Sequence, residues 1–123
     1  MGFNGCALLR VYTYSGSSSP KVAAAKSDLA TISSALQNFR LDCDRYPTQK
    51  ERLKALTQMP VTLESKWKGP YISRLPPTDP WARSYLYQTL KRGKSQTYRL
   101  TSFGEDGIPG GIDEAADIVE EGP

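Results

Sequence analysis

The residues of this chain that could do chemistry are concentrated in one stretch near its C-terminus, residues 102–118. Because this stretch has four glycines and a proline, which are incompatible with a helix or a central strand, it is predicted to be a loop. Five carboxylates share it: Glu105, Asp106, Asp113, Glu114 and Asp117. Carboxylates crowded into a loop suit a hard cation such as calcium, which takes about six to eight oxygen ligands from carboxylates and backbone carbonyls. On composition alone, a solvated acidic tail is the simpler, competing interpretation.

The rest of the sequence offers little for catalysis. The chain has no histidine, which removes the commonest general base and the commonest zinc ligand. Its two cysteines, Cys6 and Cys43, cannot form a four-thiolate site, although a disulfide between them is an open alternative. The serines lack an activating base, and neither dinucleotide-binding nor EF-hand spacing is present among the glycines and carboxylates of the loop. We therefore predict that the protein is not an enzyme.

Length and charge restrict the class further. A chain of 123 residues is enough for one small domain. Residues 1–104 carry all 16 lysines and arginines and only six acids, whereas residues 105–123 carry seven acids and no base. This division suits head-to-tail self-association, and the scattered basic residues argue against a nucleic-acid partner. No apolar run approaches the roughly 18 residues of a transmembrane span.

The main element that must position the acidic loop is a long amphipathic helix beginning at Pro20. Apolar residues recur there at steps of three or four: Val22, Ala25, Leu29, Ile32, Leu36 and Phe39. About 24 residues would span roughly 36 Å, which is long for so small a domain. Leu36 and Phe39 are expected in the core, while the alanine-rich start is expected to be bare and to need a membrane or neighbouring subunits to cover it.

Two strands joined by a basic turn are predicted after the helix. Residues 84–90 and 96–102 alternate in the way of a hairpin, and residues 91–94 form the turn. Between helix and hairpin, Thr48 and Glu51 make a capping box for a short second helix. Asp79 is expected to bond backbone amides beyond Pro80, and four apolar residues should pack the intervening loop onto the long helix: Trp67, Tyr71, Ile72 and Leu75. The predicted fold class is α+β, with a small antiparallel sheet that a third strand would complete.

The first 19 residues do not resemble the start of this domain. They lack consistent periodicity and end in a run of serine and glycine, so we interpret residues 1–19 as a foreign, non-native arm and residues 20–123 as the domain. A genuine strand through residues 8–14 is the alternative.

Six motifs in order resemble the major pseudopilin of bacterial type II secretion systems, over residues 20–118. They are the helix from Lys21 to Asp42, then Arg45-Tyr-Pro-Thr48, Trp67-Lys-Gly-Pro-Tyr71, Leu75-Pro76, Asp79-Pro-Trp81 and the run from Ser102 to Gly111. The resemblance implies a type IV pilin-like fold. It also implies a prepilin that is inserted in the inner membrane by an N-terminal hydrophobic helix, cleaved, N-methylated and polymerised.

Partners and location follow from the same resemblance. The fibre would be a homopolymer in the periplasm that pushes folded proteins through the outer membrane, together with minor pseudopilins and an inner-membrane assembly platform. The hydrophobic half-helix and its processing site are missing from this sequence, so we expect the chain as given to be soluble. The alternatives are a type IV pilin or minor pseudopilin in adhesion, motility or DNA uptake, and a small glycan-binding module using Trp67 and Trp81.

The resemblance also implies a structural calcium in the C-terminal loop. Asp106 matches the family pattern best as a ligand, and Asp113 closes the loop, with Asp117 as its alternative. The carbonyls of Phe103 and Ile108 are the expected backbone ligands. The loop departs from the family pattern at Ala115, where a carboxylate is usual. Two carboxylates beyond the motif are expected to face solvent: Glu120 and Glu121.

Overall fold

The fold is a long helix packed against a small antiparallel sheet, as the sequence predicts. The computed structural model describes residues 19–108, 110 and 117–123. Helix α1 (Pro20–Cys43) is followed by two short 3₁₀ helices (Arg52–Leu56 and Val61–Leu63) and by strands β1 (Leu86–Arg92), β2 (Ser95–Ser102) and β3 (Ile118–Glu121). Within these described ranges, no helix is long and apolar enough to cross a membrane.

Both ends of α1 have a local cause. The Ser19 hydroxyl accepts a hydrogen bond from the Val22 amide at 3.1 Å, and Pro20 occupies the first turn, where its missing N–H is no loss. At the other end Asp44 adopts a left-handed conformation, with φ of 65°, and its amide donates to the Arg40 carbonyl at 2.8 Å. An aspartate tolerates this conformation better than most residues. A proline ends a helix at the latest at the residue before it, which here is Tyr46. Because of the Asp44 conformation, α1 ends three residues earlier, at Cys43.

The three strands lie in chain order, with β2 in the centre. In the β1–β2 pair Tyr87 faces Leu100 and Arg92 faces Ser95, so the hairpin turn is only Gly93 and Lys94. The predicted turn, residues 91–94, was therefore too long, because Gly93, with φ of 62°, allows a two-residue connection and β1 continues through Arg92. In the β2–β3 pair, Leu100 faces Glu120.

The core lies between α1 and one face of the sheet. All six residues of the predicted helical stripe are buried, and strand residues opposite them are buried as well, among them Tyr87, Tyr98, Leu100 and Ile118. The expectation of a bare helix start is wrong for its inward positions, since Val22 and Ala25 are 1% and 0% exposed. Ala23 and Ala24, between them, are exposed.

A small polar cluster crosses this core. The Tyr98 and Ser33 hydroxyls are hydrogen-bonded, and Gln37 donates to both oxygens at 3.3 Å. Burial raises the pKa of Tyr98 to about 12, although Ser33 and Gln37 act in the opposite direction. The polar atoms of Ser33, Gln37 and Tyr98 therefore satisfy one another in the core. The hydroxyl of Thr97, also on β2, is buried without a hydrogen-bond partner among the described residues.

The loop between helix and sheet is held as predicted. Ile72 is buried, and Trp67, Tyr71 and Leu75 pack partly buried against the core. The capping box is also confirmed: the Glu51 amide donates to the Thr48 hydroxyl and the Thr48 amide to the Glu51 carboxylate, both at 3.0 Å. The element that follows is a 3₁₀ helix.

The prediction that Glu120 and Glu121 face solvent is wrong. They are 5% and 7% exposed, because both belong to β3, whose backbone pairs with β2 and whose inner face contacts α1. The last strand of the sheet therefore carries two buried carboxylates with different partners: the Ser33 hydroxyl for Glu120, and Arg92 and Arg99 for Glu121.

Candidate metal-binding loop

The turn at Asp79 is hydrogen-bonded to the start of the acidic loop through Ser102. The buried Asp79 carboxylate accepts hydrogen bonds from the amides of Trp81 and Arg83, both at 3.0 Å, as the sequence predicts. Its other oxygen accepts from the Ser102 hydroxyl at 2.8 Å. Ser102 is the last residue of β2, and its hydroxyl oxygen in turn accepts from the Gly104 amide at 3.3 Å. One carboxylate thus joins the turn, the sheet and the entrance to the loop.

Arg83 extends this support into the loop. Its guanidinium donates to the carbonyl of Glu105 at 3.0 Å and to that of Gly104 at 3.4 Å. A Cβ on Gly107 would lie 2.1 Å from the Arg83 Nε, so the side chain packs directly over this glycine. Gly107 has φ of 70°, which an L side chain adopts only with strain. Arg83 therefore satisfies two loop carbonyls and brings one positive charge beside the acidic segment.

Two of the predicted carboxylate ligands lie at the two ends of the loop. Asp106 is exposed, and its Oδ1 accepts from the Ile108 amide at 3.1 Å. Asp117 is half-buried, and its carboxylate accepts from the Gly110 amide at 3.1 and 3.2 Å. The second contact brings the far end of the loop back to Gly110, seven residues earlier in the chain. Each carboxylate keeps further lone pairs that these amides do not use.

The remaining predicted ligands are less defined. Phe103 is half-buried at the end of β2, and Ile108 is 59% exposed. Asp113 lies outside the described residues, so the choice between it and Asp117 stays a prediction. No group of three or more metal-binding side chains is found in the part of the chain that the structure describes. The Cys6–Cys43 disulfide also stays untested, because Cys6 lies outside that part while Cys43 is buried.

The donor set nevertheless fits calcium in its chemistry. Carboxylate and carbonyl oxygens are the ligands that this cation prefers, and positive-φ glycines turn the backbone of the loop: Gly104, Gly107 and Gly110. Arg83 donates to the carbonyls of Gly104 and Glu105 and not to those of Phe103 and Ile108, the two backbone ligands expected from the family resemblance. The sequence reasoning missed Arg83 and Ser102, because their partners lie more than 20 residues away and no local pattern marks them.

The strand that follows the loop has its own electrostatic balance. Burial alone would raise the pKa of Glu121, but Arg99 at 2.5 Å and Arg92 at 2.7 Å outweigh it and lower that pKa. Burial raises the pKa of Glu120, and the Ser33 hydroxyl offsets this only in part. The pKa values of the two neighbouring carboxylates are therefore shifted in opposite directions.

The aromatic residues of the proposed glycan module serve the core. The Trp67 indole N–H donates to the Ala55 carbonyl at 2.8 Å, and both Trp67 and Trp81 pack partly buried against the hydrophobic cluster. Trp67 also meets Tyr71 edge to face, with ring centroids 5.6 Å apart. These contacts explain Trp67 as a core residue, whereas the Trp81 indole N–H is buried without a hydrogen-bond partner among the described residues.

Comparison with known proteins identifies the family. The family model described as type II secretion system, protein G, matches residues 12–121. The chain is 39% identical over 101 residues to type II secretion system core protein G of Pseudomonas aeruginosa, covering 80% of the chain and 69% of the relative. It is 39% identical over 93 residues to the protein of the same name from Pectobacterium carotovorum, covering 73% of the chain and 58% of that relative. The chain thus spans about two thirds of the length of these relatives or somewhat less.

A solved structure agrees with these sequence matches. The major pseudopilin from the type 2 secretion system of enterohaemorrhagic Escherichia coli superposes with a TM-score of 0.57 and 35% identity, covering 80% of this chain and 84% of that one. At this identity the likeness concerns sequence as well as fold. The chain therefore belongs to the type II secretion system protein G family, the major pseudopilins, and its role is that of a structural subunit of the secretion pseudopilus.

Proposed function

We propose that this domain lies in the periplasm, is anchored in the inner membrane by an N-terminal hydrophobic helix, and polymerises into a fibre that drives folded proteins across the outer membrane. In this role it is not an enzyme. Its partners are further copies of itself, minor pseudopilins and the inner-membrane assembly platform. The observation that carries the proposal is the pseudopilin fold together with 35% identity to a major pseudopilin of known structure.

The surface of α1 supports a role in a helical polymer. One face of the helix is buried against the sheet, and the other is exposed and built largely from small residues: Ala23, Ala24, Ala30, Thr31 and Ser34. Small side chains let neighbouring helices approach closely. Near the end of this helix Leu41 is 77% exposed, so its side chain is available for an apolar contact with a neighbouring subunit.

Complementation tests the proposal directly. Residues 20–123 would be joined to the N-terminal segment of the Pseudomonas aeruginosa relative and expressed in a strain lacking its own protein G. We expect secretion to be restored and fibres to appear by electron microscopy. A chimera that is folded and present in the membrane but restores neither secretion nor fibres would overturn the proposal.

A matched pair of variants locates the subunit contact. Leu41→Asp places a charge at the exposed apolar position of α1. Val61→Asp does the same at an 86% exposed position in the second 3₁₀ helix, away from α1 in the sequence. We expect Leu41→Asp to abolish fibres, since an unpaired charge in a protein contact is strongly unfavourable, and Val61→Asp to leave them intact. Circular dichroism of the isolated domains checks that both variants fold.

We also propose that the C-terminal loop holds a structural calcium ion. Asp106 and Asp117 would supply carboxylate oxygens, with Asp113 as the alternative to Asp117, and Phe103 and Ile108 would supply carbonyls. When bound, the ion would neutralise carboxylates and tie the ends of the loop together. The Asp117 contact to Gly110 supports this, because it already brings the two ends together.

Thermal unfolding in calcium and in chelator tests the metal proposal. A ligand that binds only the folded state increases the free energy of unfolding, by about 2.7 kcal/mol at a hundredfold excess over Kd, and therefore raises the melting temperature. We expect Asp106→Ala to abolish that rise and Glu105→Ala, a neighbouring exposed carboxylate, to retain it. Identical melting curves in millimolar calcium and in chelator would refute calcium binding without affecting the assignment as a pseudopilin.

A further inference from the structure

In the part of the chain that the structure describes, strand β1 forms one edge of the sheet, and a side chain is hydrogen-bonded to the middle of that edge. The strand has seven residues, without proline or glycine. Such an edge presents unpaired N–H and C=O groups that can pair with another chain. Here the Gln49 carboxamide reaches this edge from the loop after α1. Its Nε2 donates to the Tyr87 carbonyl at 2.8 Å, and its Oε1 accepts from the Thr89 amide at 2.9 Å.

This pattern is the one that a backbone amide makes. A residue of a parallel strand beside β1 would donate its N–H to one carbonyl and accept from the amide two residues further along, as Gln49 does with Tyr87 and Thr89. An antiparallel strand would bind the same carbonyl and amide through two different residues. The Thr89 hydroxyl also lies 3.4 Å from the same Oε1. The carboxamide therefore satisfies, at the middle of the edge, the two groups that a fourth strand would bind first.

The loop holds Gln49 in place from both sides. Before it, the Tyr87 hydroxyl donates to the Pro47 carbonyl at 2.6 Å. After it, Glu51 closes the capping box with Thr48 and accepts two bonds from the Arg45 guanidinium, at 2.8 and 3.0 Å. A side chain supported in this way loses little additional conformational entropy when it binds the edge.

We propose that Gln49 acts as a substitute for a fourth strand and prevents β1 from pairing with β1 of a second copy of this chain. The edge is self-complementary. In an antiparallel pairing centred on Gln88, Tyr87 would face Thr89 of the second copy, and Leu86 would face Leu90. The two basic residues at the end of β1, Lys91 and Arg92, would face residues 85 and 84, so no like charges would oppose the pairing.

This contact matters for a subunit that must assemble in one defined way. Edge-to-edge pairing would join two three-stranded sheets into one of six strands, an arrangement that competes with packing along α1. Gln49 removes this competitor by satisfying the edge within the molecule. The inference concerns the isolated domain and holds whether or not the fibre proposal is correct.

Hydrogen exchange and sedimentation velocity on the full 123-residue chain test the inference. In dilute solution we expect the Thr89 amide of Gln49→Ala to exchange about tenfold faster than in the wild type, because one hydrogen bond is lost. Between about 10 and 500 µM we expect the variant to dimerise, while the wild type and the exposed control Gln58→Ala do not. Gln49→Ser, whose short side chain reaches neither the Tyr87 carbonyl nor the Thr89 amide, is expected to behave like Gln49→Ala and serves if the latter does not fold.

A second substitution tests the pairing itself. Gln88→Lys, added to Gln49→Ala, would place two lysines opposite each other at the centre of the pairing, and we expect it to suppress the dimer at least tenfold. Gln88→Lys alone checks that the domain still folds. Unchanged Thr89 exchange in both Gln49 variants, or no association of either above the wild type, would overturn the inference. A dimer insensitive to Gln88→Lys would overturn the proposed pairing.

Discussion

Replacing Gly107 by alanine probes the loop most sharply, because two separate effects meet at this residue. Its φ of 70° lies in the left-handed region, and an added Cβ would lie 2.1 Å from the Nε and 2.5 Å from the Cζ of Arg83. The alanine would therefore strain the backbone and also force Arg83 away from the carbonyls of Gly104 and Glu105.

The magnitude follows from these two terms. An alanine held in the left-handed region costs about 1–2 kcal/mol. Hydrogen bonds from a charged donor contribute about 1.5–3 kcal/mol when buried, but Arg83 is exposed, so about 1 kcal/mol is appropriate for displacing it. The total destabilisation is about 2–3 kcal/mol, which lowers the melting temperature of a domain of this size by about 10 °C.

Gly93 provides the matched control. It has φ of 62°, but a Cβ there would meet no atom within 4 Å, so Gly93→Ala carries the backbone term alone. Urea unfolding should show Gly107→Ala to be the more destabilising by about 1 kcal/mol. In an Arg83→Ala background this difference should disappear. If Gly107→Ala is no worse than Gly93→Ala, or if removing Arg83 leaves the difference unchanged, the packing of Arg83 over the loop is refuted.

Three carboxylates give further predictions for unfolding experiments. Burial raises the pKa of Glu120, so the wild type loses stability as pH rises from about 4 through the folded-state pKa. Glu120→Gln should abolish that loss, so that the variant loses less stability than the wild type between pH 4 and pH 7.5. An unchanged pH profile would contradict this. The arginines lower the pKa of Glu121, so its contribution to stability is present at neutral pH and is lost as pH falls through the folded-state pKa. Glu121→Gln should therefore cost about 1 kcal/mol at pH 7 and progressively less on acidification below about pH 4.5. Asp79→Ala leaves two amides and the Ser102 hydroxyl without their acceptor and should cost about 3 kcal/mol, whereas Asp79→Asn, which keeps one acceptor oxygen, should cost less; equal losses in the two variants would argue against the hydrogen-bond explanation.

The sequence predicted best the features that have a local cause. The helical stripe from Val22 to Phe39 is correct at every position because a period of 3.6 residues is set within one element. The capping box at Thr48 and the Asp79 turn are correct for the same reason, since each is a contact between residues two to four apart.

The errors arise where distant parts of the chain meet. Glu120 and Glu121 were expected in solvent because an acidic residue after a glycine-rich loop has no local reason to be buried. Their burial comes from β2 and α1, which precede them by about 20 residues or more. The hairpin turn was predicted to begin two residues too early and the second strand one residue too late, because the strand pairing continues through Arg92 and Ser95.

The candidate site shows the same division. The carboxylates and glycines of the loop could be identified from composition, whereas their support by Asp79, Arg83 and Ser102 depends on tertiary contacts across 21–23 positions of sequence. The ligand set predicted from the family resemblance therefore named the residues of the loop but not those that hold it.

The position of β3 has a consequence for how the domain is made. A chain is synthesised from its N-terminus, so α1 and the hairpin are complete while β2 still lacks its second neighbour. Until residues 118–121 arrive, β2 is itself an open edge, and Leu100 and Thr101 have no partner on that side. Completion of the sheet is thus delayed until after the acidic loop has emerged.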